Sequence, residues 1–192
     1  MDLTFTPEDE AFRSEVRTWI SENKPREKTP PVGPAQRDFL LAWQRKQFEG
    51  GWAGIAWPTE FGGRGLSLVQ QLIWYEEYAR LEAPSIGCLF VGLNHGGPTL
   101  ISRGRSAQKA FHLPRILRGE VIWCQGFSEQ GAGSDLASLR TRADVDGDHL
   151  VINGQKIWTS FTHLADDQEL LVRSEPNSTR HAGLTWVIGL SL

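Results

Sequence analysis

The stretch Val121-Ile122-Trp123-Cys124-Gln125-Gly126-Phe127-Ser128-Glu129-Gln130-Gly131-Ala132-Gly133-Ser134-Asp135 is where the chain changes texture. Before it, apolar residues recur at helical spacing. After it, they come in short runs and alternations bounded by Gly, Asn and Asp. The stretch itself opens as a strand, Val121 to Ser128, and closes in a glycine-rich loop carrying a small hydroxyl. Helices first and strands afterwards argue against a doubly wound βαβ arrangement. The order predicts an α+β chain: an all-α helical domain over 1–120, then an incomplete antiparallel β domain over 121–192.

Working upstream, Thr6 is a helix N-cap with Pro7 at the first helical position and Glu8 and Asp9 in the first turn. Phe12, Val16, Trp19 and Ile20 share one face of that helix. Pro25, Pro30, Pro31 and Pro34 form a loop. A second amphipathic helix turns Phe39, Leu40, Trp43 and Phe48 inward and stops at Gly50-Gly51. Ser67 and Gln70 make a capping box, and Leu68, Leu72, Tyr75 and Ala79 are the expected buried stripe of the helix that follows. Ile86 to Ile101 is apolar nearly all round, which predicts a central buried helix interrupted at Gly96-Gly97-Pro98. A short helix from Ser106 and another ending at Gly119 complete this half.

Working downstream, Leu139 to Val145 reads as a strand, Asp146-Gly147-Asp148 as a hairpin turn and His149 to Ile152 as the returning strand. Asn153-Gly154 is a second turn, leading to a strand over Gln155 to Ser160. Glu169 to Arg173 and Leu184 to Ile188 are two more. The sheet runs out at Gly189-Leu190-Ser191-Leu192, so an exposed edge and apolar face are expected.

Composition narrows the function. The 192 residues carry a net charge of −3 and no Lys/Arg run, which excludes a polybasic nucleic-acid binder. Cys88 and Cys124 are the only cysteines, too few for a disulfide scaffold or a Cys-rich zinc site. They fit reduced thiols in a cytoplasmic protein. The longest apolar stretch, Ile86 to Leu93, is short of a bilayer span. Met1-Asp2-Leu3-Thr4 lacks the basic and apolar regions of a secretory leader. The five histidines, His95, His112, His149, His163 and His181, show no metal-ligand spacing.

Two clusters could carry chemistry. The loop after Ser128 presents backbone N–H groups without side-chain obstruction, which suits phosphate or another anion. It is neither a G-x-G-x-x-G fingerprint nor a P-loop. A plain structural loop, with Glu129 in a salt bridge and Asp135 as a cap, is the other reading. The second cluster is Asn153-Gly154-Gln155-Lys156-Ile157-Trp158-Thr159-Ser160. An indole beside two hydroxyls could flank a flat, hydrogen-bonding ring, or Trp158 could be a core residue. His95 is either a satisfied core histidine or a polar group on a pocket floor.

Taken together, Phe127–Asp135, Asn153–Ser160 and Ala165-Asp166 resemble the acyl-CoA dehydrogenase family in wording, order and spacing. Trp57-Pro58-Thr59-Glu60-Phe61-Gly62-Gly63 and Leu113-Pro114-Arg115-Ile116-Leu117-Arg118-Gly119-Glu120 are similar to the family's helical-domain signatures. Trp123-Cys124-Gln125-Gly126 and Trp158-Thr159-Ser160 look most like actinobacterial members associated with steroid breakdown. The resemblance implies an FAD-dependent oxidation of the Cα–Cβ bond of an acyl-CoA thioester to a 2-enoyl-CoA, with electron-transfer flavoprotein or a similar acceptor and a homo- or hetero-tetrameric assembly.

It also implies roles. Gln125, Phe127 and Ser128 would meet the flavin ring. Gly133 and Ser134 would meet the FAD pyrophosphate, Ser134 also the acyl-CoA. Trp158 would pack on the ring system, and Thr159 and Ser160 would bond near it. Three positions depart from the family pattern: Gln130 for a common Pro, Thr159-Ser160 for Ile-Thr, and Gln125 for an aromatic or small residue. The family's C-terminal helical bundle, which carries its catalytic Glu, has no counterpart in these residues, so no catalytic residue is assigned. Neither Glu129 nor Glu120 matches the missing base. Two other readings stand beside the enzyme: a non-catalytic flavin- and acyl-CoA-binding partner subunit of a full-length dehydrogenase, and a helical acyl- or lipid-binding domain with a β appendage.

Overall fold

The computed structural model describes residues 4–175 and 177–190. The chain divides into two compact units, Met1–Glu120 and Val121–Leu192.

In the first unit, α1 spans Pro7–Asn23 and α3 spans Leu68–Arg80, each entered through a reciprocal capping box: Thr6 with Asp9, and Ser67 with Gln70. Both caps follow the sequence expectation, because a cap is a local device. Between them, α2 covers Pro34–Glu49. Val16 and Ile20 of α1 pack with Trp52, Ile55 and Trp74 into one core cluster. The indoles are its bulk: Trp52 stacks on Trp74 with centroids 4.8 Å apart, and Trp19 on Trp43 at 5.7 Å. The Arg64 guanidinium lies 3.6 Å from the Trp52 ring centroid. Trp43 Nε1 donates to the Tyr78 hydroxyl at 2.6 Å, which in turn donates to the Pro84 carbonyl. Burial pushes the Tyr78 phenol up to about 12.

The buried side of α3 is Ile73, Trp74 and Glu77, not the expected Leu68, Leu72, Tyr75 and Ala79. That second stripe faces outward, with Leu68 83% exposed. A charged residue at 77 makes the true inner face look solvated. It is inner because α1 supplies the countercharges: Glu77 is fully buried and accepts from Arg13 at 3.1 Å and from Arg17 at 2.9 Å. Arg13 also pairs with Glu76 at 2.7 Å.

The region predicted as a broken buried helix is continuous but uneven. A 3₁₀ turn, Gly87–Leu89, leads to a π-turn, Gly92–Gly96, and then to α4, Gly97–Arg103. Gly96-Gly97-Pro98 is absorbed rather than breaking the chain. The Gly97 N–H bonds to the Gly92 carbonyl, one residue farther back than in an α-helix. That leaves the Leu93 carbonyl facing Pro98, which has no N–H. Trp57 Nε1 fills the gap, donating to Leu93 O at 2.9 Å. A β-carbon at Gly97 would lie 2.0 Å from Trp57 Cζ2, so the indole and the glycine are chosen together. Trp57→Phe keeps an aromatic ring but removes the donor together with the indole atoms that pack on Gly97. We expect a loss of about 1–2 kcal/mol in chemical denaturation; an unchanged midpoint would refute this account of the π-turn.

Only one helix, α5 (Ser106–Leu117), occupies the segment expected to hold two. Pro114 sits inside it, and Leu113, Ile116 and Leu117 are buried on its inner face. Cys88 and Cys124 are free and buried, and burial pushes the Cys88 thiol up. No helix among the described residues is long and apolar enough to cross a membrane.

The second unit is a five-stranded sheet: β1 Trp123–Gly126, β2 Arg142–Asp146, β3 His149–Asn153, β4 Asp167–Arg173 and β5 Leu184–Leu190. The α+β order holds, but the sheet is mixed. The β2–β3 hairpin and the β4–β5 pair are antiparallel, whereas β1 lies parallel to β4 with Gln125 beside Glu169. The long excursion between β1 and β4 is what permits parallel pairing. Asp166 pins its end, its carboxylate accepting from the Ile122 N–H at 2.8 Å. Residues 155–160, expected as a strand, are not one: Trp158 at φ +58° takes the chain out of extended geometry. The hairpin leaves Val145, Leu150, Val151 and Ile152 exposed, Val151 on the opposite face from Leu150 and Ile152.

Candidate functional site

The two sequence clusters meet around one carboxylate. Glu129 leaves β1 and accepts four hydrogen bonds: the Arg140 N–H at 2.7 Å, the Thr141 N–H at 2.9 Å, the Thr141 hydroxyl at 2.5 Å and Lys156 Nζ at 2.9 Å. Burial alone would raise this carboxyl. The hydroxyl, the ammonium and the two backbone donors outweigh burial and lower it to about 2. Lys156 also donates to the Phe127 carbonyl at 3.0 Å, and the Ile157 N–H to the Ser128 carbonyl at 2.9 Å. Phe127 and Ser128 are thereby locked beside the turn that carries Trp158.

That turn is unusual twice over. Trp158 at φ +58° and Phe161 at φ +63° both occupy the left-handed region, rare for bulky side chains. Between them lie Thr159 and Ser160. Of the eight tryptophans, Trp158 is the one laid bare, 87% exposed, while Trp43, Trp52, Trp57, Trp74 and Trp123 are buried. A large indole held in water on strained backbone has nothing to gain within this chain.

The glycine loop has the same character. Gly131 and Gly133 have ordinary φ, and a β-carbon on either would meet nothing within 4 Å. Neither conformation nor internal packing calls for glycine there. No protein acceptor takes the N–H of Gly131, Gly133 or Ser134 among the described residues. Gly133 and Ser134 are exposed at the loop's tip. Asp135 starts the Leu136–Ser138 turn without a side-chain capping bond. A hollow of about 410 Å³ lies beside the loop, with Arg140 and Gln155 on its wall.

Gln125 stands apart from this cluster. Its amide nitrogen donates to Glu169 at 2.8 Å across the β1–β4 pair. Lys156, Glu169 and Trp186 carry the geometry here yet had no assigned role in the sequence. Their partners lie too far along the chain for any local pattern to pair them. In the first unit, His95 is half-buried and packs its ring on Phe90, centroids 5.1 Å apart. Among the described residues no cluster of three or more His, Cys, Asp or Glu could hold a metal.

Comparison with known proteins agrees with this layout. Residues 6–120 match the acyl-CoA dehydrogenase N-terminal domain, and residues 124–189 the acyl-CoA dehydrogenase middle domain. Acyl-CoA dehydrogenase IpdE1 of Mycobacterium tuberculosis is 44% identical over 93% of this chain and 48% of its own length. Among solved structures, the ChsE4-ChsE5 complex from Mycobacterium tuberculosis superposes with a TM-score of 0.80 at 37% identity, over 99% of this chain and 48% of that one. The Tcur3481-Tcur3483 steroid ACAD gives 0.83 at 36% identity, over 99% and 49%. The chain thus spans about half the length of the curated relatives it matches. With both domain models matched in order along it, the chain belongs to the acyl-CoA dehydrogenase family.

Proposed function

We propose that these residues form the helical and middle-domain share of an FAD-dependent acyl-CoA dehydrogenase. The observation that carries the reading is Trp158: a bare indole on strained backbone, flanked by Thr159 and Ser160 and tied through Lys156 to Phe127 and Ser128. The donor set fits a flavin. An exposed aromatic face offers stacking, neighbouring hydroxyls offer hydrogen bonds to ring heteroatoms, and an unobstructed Gly131–Ser134 backbone offers N–H groups to a pyrophosphate. FAD, when bound, supplies the two-electron acceptor for oxidation of the acyl Cα–Cβ bond to the 2-enoyl thioester.

The chain's own residues bind and orient. Phe127, Ser128, Gln125 and Trp158 hold the ring, Thr159 and Ser160 bond to its edge, and Gly133 and Ser134 take the pyrophosphate, Ser134 also the acyl-CoA pantetheine. Glu129 is a strut: its oxygens are committed to Thr141, Arg140 and Lys156. No residue of the 192 is assigned the role of proton-abstracting base. The substrate class is an acyl-CoA, and the steroid ACAD among the structural relatives favours a bulky, steroid-derived acyl group. Electrons would pass to electron-transfer flavoprotein or a similar acceptor, within a tetramer in the cytoplasm.

A second reading has support in the pairing of two differently named chains in both solved relatives. In it, the chain is a flavin- and acyl-CoA-binding subunit whose site is completed by a full-length dehydrogenase. The two readings separate on whether enoyl-CoA forms only when such a partner is added.

The test of the site is FAD titration of the purified protein, followed in the visible flavin band. Trp158→Ala should weaken FAD binding by about 10- to 100-fold, the worth of one lost ring stack. Its melting temperature should stay with the parent's, since the side chain packs against little. Equal affinity in parent and variant would sink this site assignment.

A further inference from the structure

Strand β3, His149–Asn153, lies at one end of the sheet. Among the described residues it pairs with β2 alone, and it is exposed along its whole length. Sheet edges are ordinarily blunted by charge, proline or a bulge. His149-Leu150-Val151-Ile152-Asn153 has no Lys, Arg, Asp, Glu or Pro, and its pairing with β2 runs residue for residue without a bulge.

The register decides which groups this edge offers. The hairpin turns through Gly147 and Asp148, with Gly147 at φ +60°. So tight a turn closes on a hydrogen-bonded pair, Asp146 with His149, because the alternative ladder would need a bond between the two turn residues themselves. Bonded and non-bonded pairs then alternate. Val151 and Asn153 spend their backbone groups on β2. Leu150 and Ile152 aim theirs, N–H and C=O alike, away from it.

We propose that β3 is a self-association edge, at which two copies of this chain pair β3 to β3, antiparallel about a two-fold axis at Val151. The strand is complementary to itself in that register. Leu150 of one copy meets Ile152 of the other, both with outward backbone groups, and each such pair exchanges two hydrogen bonds. On one face Leu150 packs on Ile152, beside the exposed Val145 of β2. On the other, Val151 meets its own copy and the His149 imidazole meets the Asn153 amide. No like charges oppose across the seam, since β3 carries none. A slip of one residue would set bonded positions against non-bonded ones. The contact is isologous, so it uses each edge once and closes at two copies. The seam is short, which makes the dimer weak and concentration-dependent.

The test is sedimentation of the purified chain over a dilution series, with disulfide trapping alongside. The mass should rise with concentration from 21.5 kDa toward twice that value. Leu150→Lys, at an exposed position, should hold the single mass while melting with the parent. In a non-bonded antiparallel pair the Cα atoms lie about 4.5 Å apart, within disulfide reach. Val151→Cys should therefore oxidise to a covalent dimer, and Leu150→Cys, whose partner is residue 152, should not. Cys88 and Cys124 are buried, and the parent controls for them. A parent that stays single at every concentration, its edge left to a strand of different sequence, overturns the proposal. So does growth beyond two copies, or a dimer that Leu150→Lys leaves intact and Val151→Cys fails to cross-link.

Discussion

Glu129→Ala should lower the stability of the second unit by about 3–5 kcal/mol, the largest effect expected of any single change there. The substitution strands four donors at once. The worst placed is Lys156, whose side chain is 7% exposed and keeps only the Phe127 carbonyl as a partner. A charge left buried costs far more than the bond it lost. Because Lys156 also joins the Phe127–Ser128 segment to the Trp158 turn, FAD affinity should fall together with stability.

The pH dependence has a definite sign. The folded Glu129 carboxyl lies at about 2, below its ordinary 4.5. Its contribution is therefore present above the ordinary value and lost as pH falls toward the folded one. The difference corresponds to about 3 kcal/mol, released between roughly pH 5 and pH 2. Denaturation midpoints measured across that range should drop steeply for the parent and more gently for the variant. Parallel pH profiles would show that Glu129 is not the strut described.

Glu77→Ala should also destabilise the first unit, by removing the buried carboxylate that Arg13 and Arg17 share. Arg13 is buried and retains Glu76; Arg17 is half-exposed and turns to water. The hydrogen bonds from Arg17, against the opposing push of burial, hold the Glu77 carboxyl below its ordinary range. Acidification through that depressed value therefore removes stability, just as at Glu129. Denaturation of Glu77→Ala beside a variant with all of Arg13, Arg17 and Glu77 made apolar decides the cause. Recovery in the second variant marks the penalty as unpaired charge. Equal loss in both would assign it to lost packing.

The parts of this fold legible in sequence were those written locally. Thr6, Ser67, Gly50-Gly51 and Asp146-Gly147-Asp148 each signal through residues a few positions apart, and the structure has a cap, a stop or a turn at each. What resisted reading was settled by distant partners. The α3 face depends on arginines of α1 that make a buried Glu77 tolerable. The continuity through Pro98 depends on an indole donor from Trp57. The site divides in the same way. Its motifs stood out in wording, but that Trp158 alone among the indoles is laid bare follows from two positive φ values, which no spacing announces.

The parallel register of β1 and β4 also sets an order of events in folding. The β2–β3 hairpin closes across a two-residue turn, Gly147-Asp148, a microsecond step. The Trp123–Asp167 and Gln125–Glu169 neighbours must instead find each other across a long intervening stretch of chain. Their loop-closure entropy is spent before any contact rewards it. The hairpin is thus an early local nucleus, and the row through Gln125 and Glu169 is a late, topology-limited contact. The β1–β4 amides are therefore expected to gain hydrogen-exchange protection after those of the hairpin, which pulse-labelled exchange during refolding checks.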